Sequence, residues 1–186
     1  MTDSEPAPVS PIDLSTEVAR TFVDRARNFL LNEYRPKIEL CLNELTDEQI
    51  WWRPNEQTNS IGNLVLHLCG NSRQWIVSGV GNTRDDRTRE AEFACREIIT
   101  RSALLALLQT TLFEVDEVLQ NLDARTVLEE RLIQGRNVTI LHAIFHVTEH
   151  FSMHTGQIIM LTKIATNKDL RFYDVSTGVP VDRWHI

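Results

Sequence analysis

A chain of 186 residues is long enough for one domain with a sizeable core. Hydrophobic residues make up 42% and charged residues 24%, and the formal net charge is −7 with a sequence pI near 5.4. This balance argues against a surface built for nucleic acid or an anionic membrane, both of which need clustered Lys and Arg. No apolar run is long enough to span a bilayer.

Three cysteines, Cys41, Cys69 and Cys95, form an odd set without a CxxC spacing. They describe no disulfide framework and point to a reducing cytoplasm. Residues 1–14 are acidic and proline-rich, with no apolar signal region, and are expected to be a flexible leader. Gly (7) and Pro (6) are few, so long uninterrupted helices are expected over 15–165.

The first helix is predicted over about 15–45. Val18, Phe22, Ala26, Phe29 and Leu30 recur at three- and four-residue spacing, and Ile38, Leu42 and Leu45 extend the pattern. Pro36 lies inside it and should kink or break the helix near Arg35, because the ring removes a backbone donor and crowds the preceding turn. Thr46 to Gln49 is a capping-box pattern that starts a short turn through Trp51 and Trp52, ended by Pro54.

Asn59 or Ser60 caps the second helix, which runs to about Ser78 along Ile61, Leu64, Leu68 and Trp75. His67 lies on the shoulder of that stripe, with Asn71 one turn later; Gly79 and Gly81 supply the stop. The charged run Asn82–Glu92 is long for a connection, and such loops are often functional or mobile.

The third helix starts near Thr100 and carries Leu104, Leu108, Leu112, Val115, Val118 and Leu122. A connection from Asp123 to Arg136 precedes the fourth helix, capped by Asn137 or Thr139 and running to about Ala165. Gly156 inside it suggests close approach of a neighbouring helix. The tail, 166–186, has no helical period, yet Phe172, Tyr173, Val175, Val179 and Trp184 make it apolar. It is expected to be irregular and to pack on the domain or on a partner subunit. Four helices with a long connection between the second and third predict an all-α, four-helix bundle, a fold that builds metal sites from facing helices.

The fourth helix carries His146, His150 and His154 among apolar neighbours Ile144, Val147, Phe151 and Ile158. A step of four residues turns a helix by only about 40°, so neighbouring pairs share a face. Neutral imidazoles at i and i+4 are a frequent pair of metal ligands, although separately satisfied histidines give the same spacing. His67 offers a third ligand from the second helix. Spacing leaves two pairs open, 146/150 and 150/154, with His142 a further step back near the helix start. Three neutral imidazoles leave an open position on a divalent ion, the ligand set of a catalytic rather than a closed structural site.

Other residues are candidates for the wall of such a site: His146, Asn71, Trp75 and Glu149. Glu149 adjoins His150, but successive helix residues point about 100° apart. Cys69 turns to the far side from His67 and reads as a core thiol. Trp51, Trp52 and Trp75 could line a pocket, and Arg73, Arg84, Arg87 and Arg89 could meet an acidic substrate or form a solvated face.

Two stretches, SIGNLVLHLCGNSRQW (Ser60–Trp75) and HVTEHFSMHTGQI (His146–Ile158), together resemble the DinB-like superfamily of metal-dependent proteins. The charged run ending at Glu92-Phe93 is similar to one mostly uncharacterised branch. The resemblance covers about Phe22 to Ile164 and implies an up-down-down-up four-helix bundle, commonly a homodimer. It implies a metal, zinc or nickel, held by His67, His150 and His154, which selects the 150/154 pair. Characterised relatives use low-molecular-weight thiols in transferase, isomerase or hydrolase reactions. The resemblance therefore implies a small-molecule substrate and a metal-activated thiol or water. The alternative expectation is a non-catalytic metal- or small-ligand-binding stress-response protein.

Overall fold

A computed structural model describes residues 11–174, 176, 178 and 181–183. The architecture is mostly helical, with two small strand pairs. Most of the expected leader, residues 1–10, lies outside the described residues. The first helix begins at Pro11, inside the stretch expected to be leader.

The first rod, α1, comprises Pro11–Asn28, a π-helical turn Phe29–Tyr34, and Arg35–Asn43. Pro36 does not break it. The wide turn lies immediately before the proline, where the Arg35 N–H reaches back to the Leu30 carbonyl. Such a turn accommodates the missing donor and the crowded carbonyl without ending the helix. It also re-phases the stripe. Ala19, Val23, Ala26 and Leu30 are buried before it, and Ile38, Cys41, Leu42 and Leu45 after it. An uninterrupted α-helix would carry the first set onward to positions 33–34 and 37.

The short α2, Asp47–Trp51, has the predicted capping box, with Thr46 and Gln49 each bonding the other's backbone N–H. The next rod, α3, runs Ile61–Ser72 and continues as a π-helical segment, Arg73–Val80. Ser60 caps it through a box with Asn63, and Gly62 lets the Trp51 ring lie against the backbone. Gly79 is not a stop: it lies inside the π segment, and a Cβ there would collide with Ile133. Gly81 is the C-cap.

The charged connection, expected to be a loop, is partly ordered as α4, Arg89–Ala94. The third rod, α5, spans Arg101–Gln120 behind a Thr100 cap, and buries Leu104, Leu108, Leu112, Val115 and Leu119. The following connection is also structured. It forms an antiparallel hairpin, β1 (Glu130–Ile133) with β2 (Arg136–Thr139), turned by Gln134 and Gly135 at φ 52° and 73°. Two residues at positive φ between paired strands are the turn whose twist matches a hairpin.

The last rod, α6, spans Ile140–Thr166 behind the Thr139 cap. Its buried stripe is Ile140, Ala143, Ile144, Val147, Phe151 and Ile158, with His150 and His154 in line with it. The expectation for Gly156 fails within the chain: it is exposed, and a Cβ there would meet nothing within 4 Å. The helix ends on Asn167 in the left-handed region, φ 53°. Beyond it Leu170 is buried and Phe172 packs against the core, so this part of the tail lies on the domain. Tyr173–Asp174 pair with Val181–Asp182. Val175, Val179 and Trp184 lie outside the described residues. No described helix is long and apolar enough to cross a membrane.

The four rods share one hydrophobic cluster. Within it α3 touches both α5 and α6. The α3–α6 packing sets His67 opposite the histidines of α6.

Candidate metal centre

His67 projects from the middle of α3, and His150 and His154 from successive turns of α6. All three are buried, with 6%, 9% and 8% of their surface exposed. Their Nε2 atoms converge: His67 and His154 each lie 3.1 Å from His150 Nε2. Two nitrogens bound tetrahedrally at about 2.0–2.1 Å from one ion lie about 3.3 Å apart, so the spacing suits a shared cation. One donor atom from each ring falls within 4.8 Å of the others.

Proton placement reinforces the fit. His154 Nδ1 lies 2.7 Å from the amide oxygen of Gln157, which can only accept, so this ring carries its proton on Nδ1 and turns a bare Nε2 inward. If His150 Nε2 is also bare, two lone pairs face each other. If it is protonated, it has no lone pair for His67 and one proton for two neighbours. A cation at the meeting point satisfies all three lone pairs at once. Three buried histidines are therefore a set that could hold a metal ion.

The electrostatics keep His150 and His154 in the neutral form a metal needs. Burial, then the neighbouring imidazoles, push His150 down to about 3. Burial also lowers His154 against the opposing Gln157 bond, and lowers His146. Among the described residues, His150 Nδ1 has no hydrogen-bond partner, so the orientation of that ring rests on packing and on Nε2.

The predicted wall residues divide. His146, half-buried, receives a hydrogen bond from Asn71 Nδ2 at 3.2 Å and lies with its ring centroid 4.1 Å from Trp75. Asn71, Trp75 and His146 thus form one wall beside His150, whose ring is 5.4 Å from that of His146. Glu149 is not brought to the cluster: it is exposed, in a groove with Phe29, Tyr34, Phe145 and Met153. Trp51 donates to the Ile99 carbonyl and Trp52 is exposed. Cys69 is a core thiol, raised by burial to about 12. Arg73 pairs with Glu114, and Arg89 lies over Phe93.

Two contacts were not assigned from sequence. Glu92, on α4, sets Oε2 2.8 Å from His67 Nδ1, and Arg87 holds the same carboxylate at 2.7 Å. Burial works against ionised Glu92, but the bonds from Arg87 and His67 outweigh it and hold its pKa below the ordinary carboxylate value. Gln157 belonged to the quoted motif but carried no role. The signal for Glu92 was the Glu-Phe pair closing the charged run, and its partner could not be read without the fold.

The fold and the cluster define a mostly helical protein with three buried imidazoles that could hold a metal ion. A family described as "protein of unknown function (DUF1572)" matches residues 17–179, and the chain belongs to it. The fold is similar to the crystal structure of a conserved protein from Enterococcus faecalis. That match has a TM-score of 0.59 at 15% identity and covers 82% of this chain and 98% of that one. No curated protein matches the chain.

The depressed pKa values give a definite pH dependence. A histidine whose folded pKa is lowered binds more protons when unfolded, so its stabilisation is present above the unfolded value and lost as pH falls. Glu92, also depressed, acts in the same direction. The metal-free protein should keep its full thermal midpoint above about pH 6.5. It should lose stability progressively toward pH about 3, the folded value of His150. A His150→Phe variant should show a shallower fall. A wild-type midpoint that stays flat between about pH 7 and 4.5 would contradict the assignment.

Proposed function

We propose that this is a metal-dependent enzyme of the DinB-like four-helix-bundle type, with up-down-down-up helices, acting on a small-molecule substrate. The reading is thiol-dependent S-transfer or hydrolysis. The observation that carries it is the convergence of three buried Nε2 atoms, with no fourth protein ligand in the cluster among the described residues.

His67, His150 and His154 would hold a divalent ion, zinc or nickel, which suits neutral imidazole donors. Bound there with an open position, such an ion lowers the pKa of a thiol or a water. The remaining work falls to the chain itself. Gln157 fixes the His154 ring, and the burial of all three histidines keeps bulk water from competing for their nitrogens. Asn71, Trp75 and His146 form a mixed polar and aromatic wall, suited to orienting a small organic group. Three free cysteines, two of them buried, accord with a reducing cytoplasm, where low-molecular-weight thiols are abundant.

A homodimer belongs to the same proposal. Phe145, Met153, Met160 and Ile164 leave an exposed apolar strip along α6. Such a strip is expected to be covered by a second copy. Sedimentation velocity at micromolar concentration should read a dimer, and a monomer there contradicts this part.

The activity test uses tag-free protein loaded with Zn²⁺ or Ni²⁺ and a panel of electrophiles, with bacillithiol, mycothiol, glutathione or no thiol. Turnover should appear with at least one thiol or with water, and fall by at least about 100-fold on chelation or in His154→Ala. Metal bound without turnover across the panel would favour a non-catalytic binding protein, for which chelation lowers thermal stability only.

A further inference from the structure

We infer that Glu92 and Arg87 are positioning residues of the metal centre, which fix the nitrogen of His67 that carries its proton. The inference rests on the metal-binding reading above, and the observations behind it are separate.

A carboxylate can only accept, and its 2.8 Å contact through Glu92 Oε2 is the shorter of two at His67 Nδ1. Arg87 Nη2 lies 3.1 Å from the same nitrogen but donates to Oε2 at 2.9 Å, and a bare Nδ1 would set its lone pair against the carboxylate, so the His67 proton belongs on Nδ1. A neutral imidazole has one such proton. His67 Nε2 is then a lone pair, 3.1 Å from His150 Nε2 and directed at the centre of the cluster. Without Glu92 the ring could as readily carry its proton on Nε2, which would block that position.

Arg87 makes this arrangement rigid. Its Nε donates to Glu92 Oε1 at 2.7 Å and its Nη2 to Oε2 at 2.9 Å, a two-pronged grip on one carboxylate. The Arg87 side chain is only 4% exposed and is itself anchored by Nη1 to Gln74 Oε1 at 2.9 Å. A buried ion pair is weak support for stability, because desolvation offsets much of the attraction. Its placement here against a ring of the cluster points to a positioning role.

The surrounding sequence makes room for the pair. Asn63 Nδ2 donates to the backbone carbonyls of Glu92 and Cys95 at 2.9 and 3.1 Å, tying both ends of this stretch to α3. Gly70 is required by close approach, since a Cβ there would collide with the Glu92 carboxylate and crowd Arg87 Nε. Phe93 covers the His67 ring at a centroid distance of 4.5 Å. Asn63, Gly70 and His67 lie along one helix, so the SIGN…HLCGN stretch is a seat for the Arg87–Glu92 pair as well as the source of a ligand.

The full-length, metal-free protein is examined by long-range ¹H–¹⁵N NMR for the His67 tautomer. Zn²⁺ affinity is then measured by competition with a chromophoric chelator for wild type, Glu92→Met, which removes the acceptor at similar side-chain length, and Gly70→Ala. The expected wild-type tautomer is Nδ1–H. Both variants should bind Zn²⁺ about 10- to 100-fold more weakly, the range for losing an outer partner of a ligating histidine. A wild-type His67 protonated on Nε2, or a folded Glu92→Met within about twofold of wild type in affinity, would overturn the inference. If Glu92→Met fails to fold, the wild-type tautomer decides alone. Wild-type protein that takes up no Zn²⁺ would remove the metal reading, while the tautomer would still report whether Glu92 orients the ring.

Discussion

The constraint on which this structure turns is the meeting of three imidazole nitrogens, 3.1 Å apart in two steps, inside the hydrophobic core. Core positions are ordinarily filled by groups that need no partner, and an unpaired buried polar atom costs free energy comparable to a lost hydrogen bond. Here three polar rings occupy buried positions among the apolar side chains of the core. Neutral rings cannot satisfy one another at that point with the protons available to them. The arrangement is explicable as a site kept for a cation and is difficult to explain as packing.

The rest of the fold bears on that meeting. Leu64, Leu68 and Val65 on one rod, and Val147, Phe151 and Ile158 on the other, press α3 and α6 together at a fixed phase. The outer nitrogens of His67 and His154 are engaged by Glu92 and Gln157, two acceptors supplied by different elements. His146 is held by Asn71 and Trp75 instead. A helix face can therefore carry three histidines at equal spacing and use them differently. Depth decides: His150 and His154 lie in the buried stripe, and His146 sits on its shoulder.

Much of this was legible in the chain. The four long rods followed from apolar spacing, the caps at Thr46, Ser60 and Thr139 are among the predicted candidates, and the third rod starts where expected, near Thr100. The two π-helical segments were not legible, because one extra residue in a turn looks like a small slip in an apolar stripe. The hairpin was signalled by Gln134-Gly135 between short β-prone runs, a cue weaker than the usual Asn-Gly. Glu92 and Arg87 were hidden for a physical reason. Within a run of alternating charges each looks solvated, and only tertiary packing against Gly70 and Asn63 reveals them as buried. Glu149 is the plainer case: adjacent to His150 in sequence, it is turned outward by the helix and is exposed, as the 100° step between successive residues implies.

The measurement that bears most directly on the central claim is the metal content of tag-free protein, wild type against His67→Ala, by elemental mass spectrometry after loading and desalting. Wild type should retain about one divalent ion per chain, and the variant, with the two α6 histidines intact, less than about a tenth of that. Equal content in the two proteins, or none in the wild type, would contradict the account.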